Sequence, residues 1–284
     1  MTKHVPALGE VQETLLIPLY GRAVESRKKR ALLRDPKSVE IVESLDYDFH
    51  RFNGTRALFG SVLRTAMFDE WVRDFIGQHP AGTVVELGAG LNTRFERLDN
   101  GRISWVDVDL PDVAELRSHY FADTPRRITV GASVLDPSWI SRAAERPAPY
   151  FLVAEAVFLY LAEADVKRAL ALIAGGFPGS RIAFDTGSQR MIDDQRTRDV
   201  MSRMTARMRW ACSDPIVIAG WDLGLTLVDT RTFFDAPARF KAYQPLSLRW
   251  LAPVFFRRQI EAYRLNLFQT AGADRVRPFV ADGH

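Results

Sequence analysis

The chain has 284 residues, 47% of them apolar and 26% charged, with a formal net charge of +3. This balance excludes a disordered chain, and no run of about 18 apolar residues marks a membrane-spanning helix. The single cysteine, Cys212, excludes an intrachain disulfide framework and a cysteine-cluster zinc site; with a first segment lacking the apolar core of a signal peptide, it predicts a reducing, cytoplasmic setting and no bound metal.

Up to about residue 80, apolar residues recur at helical spacing: Val11, Leu15, Leu16, Leu19 and Ala23; then Val39, Ile41, Val42 and Leu45; then Leu58, Val62, Leu63 and Met67. A helical extension is predicted over 1–80 and an α/β core over 81–284. The one basic run, Arg27-Lys28-Lys29-Arg30, reads as a solvated helix face. Elsewhere arginines alternate with acids, so no nucleic-acid partner is predicted. After His79-Pro80-Ala81-Gly82, β-rich runs fall at 83–87, 103–108, 128–130, 150–154, 182–185, 225–229 and 263–268. Helical patterns such as 112–121 and 163–174 separate most of them. This alternation predicts a doubly wound, mostly parallel sheet, with an antiparallel C-terminal strand at its edge. A helical cap is expected over about 187–222, where Met191, Met201, Met204 and Met208 join Trp210 and Trp221. Trp250, Phe255 and Phe256, in a predicted helix over 248–261, serve either as a further wall or as core.

The sharpest local signal is Val84-Val85-Glu86-Leu87-Gly88-Ala89-Gly90-Leu91-Asn92-Thr93-Arg94. Gly88 and Gly90 allow close backbone approach to a ligand, and Asn92 and Thr93 suit the cap of a following helix. Thr93 replaces the third glycine of a dinucleotide fingerprint, and no Gly-Lys-Ser/Thr follows. Pyrophosphate cofactors are therefore disfavoured, and a dehydrogenase is a distant reading. The turn suits a nucleoside with an amino-acid tail, such as S-adenosylmethionine. On the second strand, Asp107 and Asp109 share one side, and Asp109 lies 21 positions after Gly88, where ribose hydroxyls are grasped. Ser133 and Val134 end the third strand, where they could border the adenine. Glu155 sits inside the apolar run 151–160 and needs a partner, either a ligand amine or a buried arginine.

Taken together, these motifs resemble the leucine carboxyl methyltransferase superfamily, and within it the bacterial tetracenomycin-type polyketide O-methyltransferases. The resemblance starts at Glu13-Thr14-Leu15 and Leu19-Tyr20-Gly21-Arg22-Ala23, with Glu25-Ser26 and Asp35-Pro36. It continues through Arg64-Thr65, Phe68-Asp69, the glycine turn and Asp107-Val108-Asp109-Leu110-Pro111. It ends with Asp136-Pro137-Ser138-Trp139, Ala154-Glu155, Tyr160-Leu161 and Asn266-Leu267-Phe268. It implies a class I, Rossmann-like fold that binds S-adenosylmethionine. Glu86, Gly88, Ala89 and Gly90 would hold the methionine end, with Asp109 on the ribose and Asp107 close by. Ser133 and Val134 would flank the adenine, and Glu155 would approach the amino-acid part. Arg64 would meet the cofactor carboxylate or the substrate, with Tyr160 and Arg22 on the substrate side. The sequence departs from the family pattern at Asn92 (commonly Asp), at Ala156 (commonly Gly) and at Ser133 (an acid in the eukaryotic branch).

A carboxylate acceptor is ionised at neutral pH and needs no general base, whereas a phenol or alcohol usually needs one, most often His. None of the five histidines, at 4, 50, 79, 119 and 284, lies at a strand end after the fourth or fifth strand. With arginine abundant, the expectation is methyl transfer to the carboxylate of a bulky aromatic or polyketide-type metabolite by alignment alone. A hydroxyl O-methyltransferase and a non-catalytic cofactor-binding protein are the alternatives.

Overall fold

The computed structural model describes residues 4–6, 8–196, 204–241, 243 and 262–272. Met201, Trp250, Phe255, Phe256 and the predicted helix over 248–261 lie outside them. Among the described residues, no helix is long and apolar enough to cross a membrane.

The N-terminal region holds α1 (Leu16–Ser26), α2 (Pro36–Ser44) and α3 (Arg56–Gln78). Asp35 starts α2 by accepting from the Ser38 amide, and Pro36 occupies the first turn, where no amide proton is needed. Leu16, Leu19 and Ala23 recur at helical spacing on α1 and are fully buried with Ile41, Phe52 and Leu91. Leu91 belongs to the glycine turn, so this cluster ties the N-terminal helices to the ligand-facing end of the sheet. The residues Arg27 to Arg30 are exposed.

The strands are β1 (Thr83–Leu87), β2 (Ser104–Asp109), β3 (Arg127–Gly131), β4 (Tyr150–Ala154), β5 (Arg181–Gly187), β6 (Leu225–Arg231) and β7 (Tyr263–Thr270). They form one sheet in the order β3-β2-β1-β4-β5-β7-β6. From β3 to β5 the neighbours are parallel; β7 is antiparallel to both β5 and β6. The C-terminal strand is thus antiparallel as expected, but interior: β6 forms the edge. Leu265 and Phe268 of β7 are fully buried, while Val228 of β6 is exposed, as befits an outer strand.

Side chains alternate across the sheet with a period of two. Val84, Trp105, Phe151 and Val153 pack against Phe68, Trp71 and Val72 of α3. Val85, Val106, Val108 and Leu152 pack on the other face with Trp139 of α6 (Ser138–Ala144) and Leu170 and Ile173 of α7 (Glu163–Gly176). Both faces are covered, which explains the continuously apolar strands. Strand order reverses between β1 and β4, and a ligand crevice in such sheets opens at the carboxyl ends of the strands there.

Candidate active site

A cavity of about 450 Å³ lies at that crevice. The glycine turn forms one wall, with Gly88 at φ +61° and Gly90 at φ +48°. A Cβ on Gly88 would stand 2.4 Å from the Val157 Cγ2, so only glycine fits. Asp109 accepts the Gly90 amide at 2.6 Å and the Leu110 amide at 2.7 Å, one on each carboxylate oxygen. Burial, opposed by these bonds, raises its pKa.

Of the residues singled out from the sequence, Arg22, Arg64, Glu86, Gly88, Ala89, Gly90, Asp109, Ser133, Val134, Glu155 and Tyr160 all line this cavity. Asp107 does not. It lies two residues back along β2, below the cavity floor, and takes Arg117 at 2.6 Å and Arg127 at 2.8 Å. Arg117, on α5 (Pro111–Ser118), in turn donates to the carbonyls of Ala89, Gly90 and Asn92. Asp107 therefore braces the glycine turn from behind. The capping expectation also changes. Thr93 precedes α4 (Arg94–Leu98) but makes no side-chain cap bond. Its hydroxyl donates to Asp35 at 2.5 Å and accepts from Arg97 at 2.6 Å. Arg22 bonds Asp35 at 2.9 Å and the Leu91 carbonyl at 2.8 Å, which makes it a strut between α1 and the turn.

Glu155 has found arginine partners. Arg64 Nε donates to it at 2.8 Å, Arg94 Nη2 at 2.5 Å and the Thr65 hydroxyl at 2.8 Å. Arg94 also bonds Glu86, and Asp69 at 2.7 Å, so one fully buried guanidinium joins three carboxylates. Burial works to raise the Glu155 pKa, but the two arginines prevail and hold it down at about 2. A depressed carboxyl contributes stability above its unfolded pKa and loses it as pH falls through the folded value. Glu155→Gln is therefore expected to be less stable at pH 7 by about 3 kcal/mol. In urea titrations the gap should close between pH 4.5 and 2; a gap independent of pH would refute the assignment.

Two residues that the sequence did not single out complete the site. Asp185, fully buried at the end of β5, accepts the Ala156 amide at 2.9 Å, and Tyr263 donates to it. Arg64 Nη1 donates to the Tyr263 oxygen at 3.1 Å. Burial pushes Asp185 up to about 6 against the pull of Arg64. The one available signal was a lone acid ending an apolar strand, as at Glu155. Ala156 has φ +58°. Ala156→Gly is expected to raise stability by up to about 1 kcal/mol by relieving the left-handed backbone. A higher urea midpoint would confirm this; an unchanged or lower one would contradict it.

The cavity fits an amino-acid nucleoside. Glu86 Oε2 and Asn92 Oδ1 are buried without hydrogen-bond partners among the described residues, and both residues line it. Two unpaired acceptors suit an ammonium group. The glycine turn and the Asp109 carboxylate line the same cavity at the carboxyl ends of β1 and β2. The fold and this site define a class I S-adenosylmethionine-dependent methyltransferase.

The chain belongs to the leucine carboxyl methyltransferase family, whose model it matches over residues 16–174. The tetracenomycin polyketide synthesis O-methyltransferase TcmP of Streptomyces glaucescens is 31% identical over 229 residues, covering 80% of this chain and 84% of that protein. The S-adenosyl-L-methionine-dependent methyltransferase dpfgK of Gibberella zeae is 28% identical over 202 residues, 64% of this chain and 66% of its own length. A solved structure of a DUF574-family protein from Streptomyces avermitilis superposes with a TM-score of 0.53 at 16% identity, covering 90% of this chain and 97% of that one, a likeness of fold.

Proposed function

We propose that this methyltransferase acts in the cytoplasm on an oxygen of a small aromatic or polyketide-type metabolite, and that a carboxylate is the acceptor group. The observation that carries this reading is the chemistry of the cavity wall. Arg64 faces the cavity with Nε held by Glu155 and Nη1 by Tyr263, which leaves Nη2 for a carboxylate. None of the four described histidines lines the cavity. Met191, Met208, Phe233 and Tyr160 give it adaptable apolar walls that suit an aromatic body. Met204 and Trp210 of the expected cap are instead buried in packing with the core. The relationship to the Streptomyces O-methyltransferase supports an acceptor of polyketide type.

When bound, S-adenosylmethionine supplies a methyl group already activated on a sulfonium. Glu86 and Asn92 would hold its ammonium and Asp109 its ribose hydroxyls, and Ser133 and Val134 would border the adenine. Gln12, Thr14, Leu15, Ile17 and Pro18 from the N-terminal segment also line the cavity. Arg64 orients the acceptor at in-line reach, about 3 Å, so that alignment supplies the rate. Incubation with labelled cofactor, matched aromatic acids and matched phenols tests the reading. Alkali-labile esters are expected; exclusive formation of alkali-stable ethers removes the carboxylate.

A further inference from the structure

We propose that Tyr263 and Asp185 form a proton relay through which the same cavity also methylates hydroxyl acceptors. The proposal rests on methyl transfer to oxygen and not on the carboxylate reading, so either can fail alone.

The direction of the hydrogen bonds carries it. Tyr263 lines the cavity, its ring stacked on Phe233 at 5.7 Å between centroids and covered by Arg64 at 6.0 Å. A phenol has one proton to donate and two acceptor positions. The proton is committed to Asp185 Oδ2, a carboxylate with nothing to donate, and Arg64 Nη1 fills one acceptor position. Among the described residues, one acceptor position remains. An oxygen in this state recognises a donor. A hydroxyl acceptor gains a hydrogen bond there, whereas an ionised carboxylate does not.

The same bonds give the proton a route. The acceptor O–H breaks as its proton passes to the Tyr263 oxygen, and Tyr263 passes its own proton to Asp185. The acceptor oxygen keeps the O–H electron pair and spends it on the bond to the methyl carbon, while the carbon–sulfur pair leaves with sulfur. Asp185 is held for this by the Ala156 amide, which bonds both its oxygens at 3.0 and 2.9 Å. The charged and titratable groups around it are Arg64 from α3, Glu155 after β4, Tyr160 from the turn Phe158–Tyr160, and Tyr263 from β7. Among them, burial leaves Asp185 with a pKa of about 6, ionised at neutral pH yet able to take a proton. Tyr263, held far above its ordinary pKa by burial, stays protonated and hands the proton on.

The test pairs a naphthol with the matching naphthoic acid and labelled S-adenosylmethionine, reading ether and ester separately. Ether formation is expected, and Tyr263→Phe and Asp185→Asn should each lower the ether-to-ester ratio by about a hundredfold or more. In the unaltered protein at saturating cofactor, ether formation should fall about tenfold per pH unit below pH 6, on a limb that ester formation does not share. Naphthol binding to the protein without cofactor, followed by its own fluorescence, should weaken about fivefold in Tyr263→Phe. No ether from any hydroxyl, an unchanged ratio, or a common acid limb overturns the proposal. If both variants fail to fold, the two pH profiles decide alone. Parallel loss of ether and ester would mean that Tyr263 only positions Arg64, and also overturns it.

Discussion

Arg94→Met is expected to lower the free energy of unfolding by about 3–5 kcal/mol, the usual effect of stripping a buried ion pair of one partner. Methionine keeps much of the length and removes the charge, so the loss reports on electrostatics more than on packing. The three carboxylates then fare differently. Asp69 retains Arg97 at 3.0 Å, and Glu155 retains Arg64 at 2.8 Å. Glu86 retains only the Asn92 amide at 2.9 Å; among the described residues, Arg94 is the one cation bonded to it. Burial already raises the Glu86 pKa, and losing the arginine raises it further. The variant's deficit should therefore shrink in acid, where Glu86 accepts a proton instead of standing charged and alone. Urea unfolding at pH 7 and pH 5 measures both effects. A loss under about 1 kcal/mol would show that water or relaxation replaces the guanidinium.

Asp109→Ala is expected to weaken binding of S-adenosylhomocysteine, the demethylated product, by about a hundredfold or more in calorimetry. Hydrogen bonds to a charged group contribute about 1.5–3 kcal/mol each, and the carboxylate has capacity left for two ribose hydroxyls after holding Gly90 and Leu110. Losing the Gly90 bond also loosens the turn, although Arg117 still holds its carbonyls. Because Asp109 has a raised pKa, affinity in the unaltered protein should fall as the pH drops into the acid range, and the variant should lack that fall. Unchanged affinity would remove Asp109 from the ribose site.

The strand pattern and the glycine turn were legible because both are local. Continuous apolar runs require a sheet covered on two faces, and two glycines at positive φ require a turn without side chains. Asp107 shows where local reasoning stops. Alternation places it on the same side as Asp109, but only the depth of the cavity floor decides which acid lines the cavity and which meets Arg117. Glu155 stood out as a lone acid in an apolar run, yet which arginines reach it depends on how α3 crosses the sheet. The same holds for Tyr263, whose hydroxyl meets Asp185 across 78 residues of chain. The interior position of β7 was hidden too, because pairing order is a long-range property that strand composition does not encode.

The place of β7 sets a timetable for biosynthesis. On the ribosome, β1 to β5 can assemble as they emerge, but β6 leaves the tunnel with no neighbour to bond to. It must wait for the segment ending at Thr270 before the sheet can be finished. Nascent chains released before Tyr263 would leave the β7-facing edges of β5 and β6 unpaired, a template for aggregation, and would also lack a phenol of the cavity wall. Completion of the sheet and placement of Tyr263 in the cavity wall are thus one event.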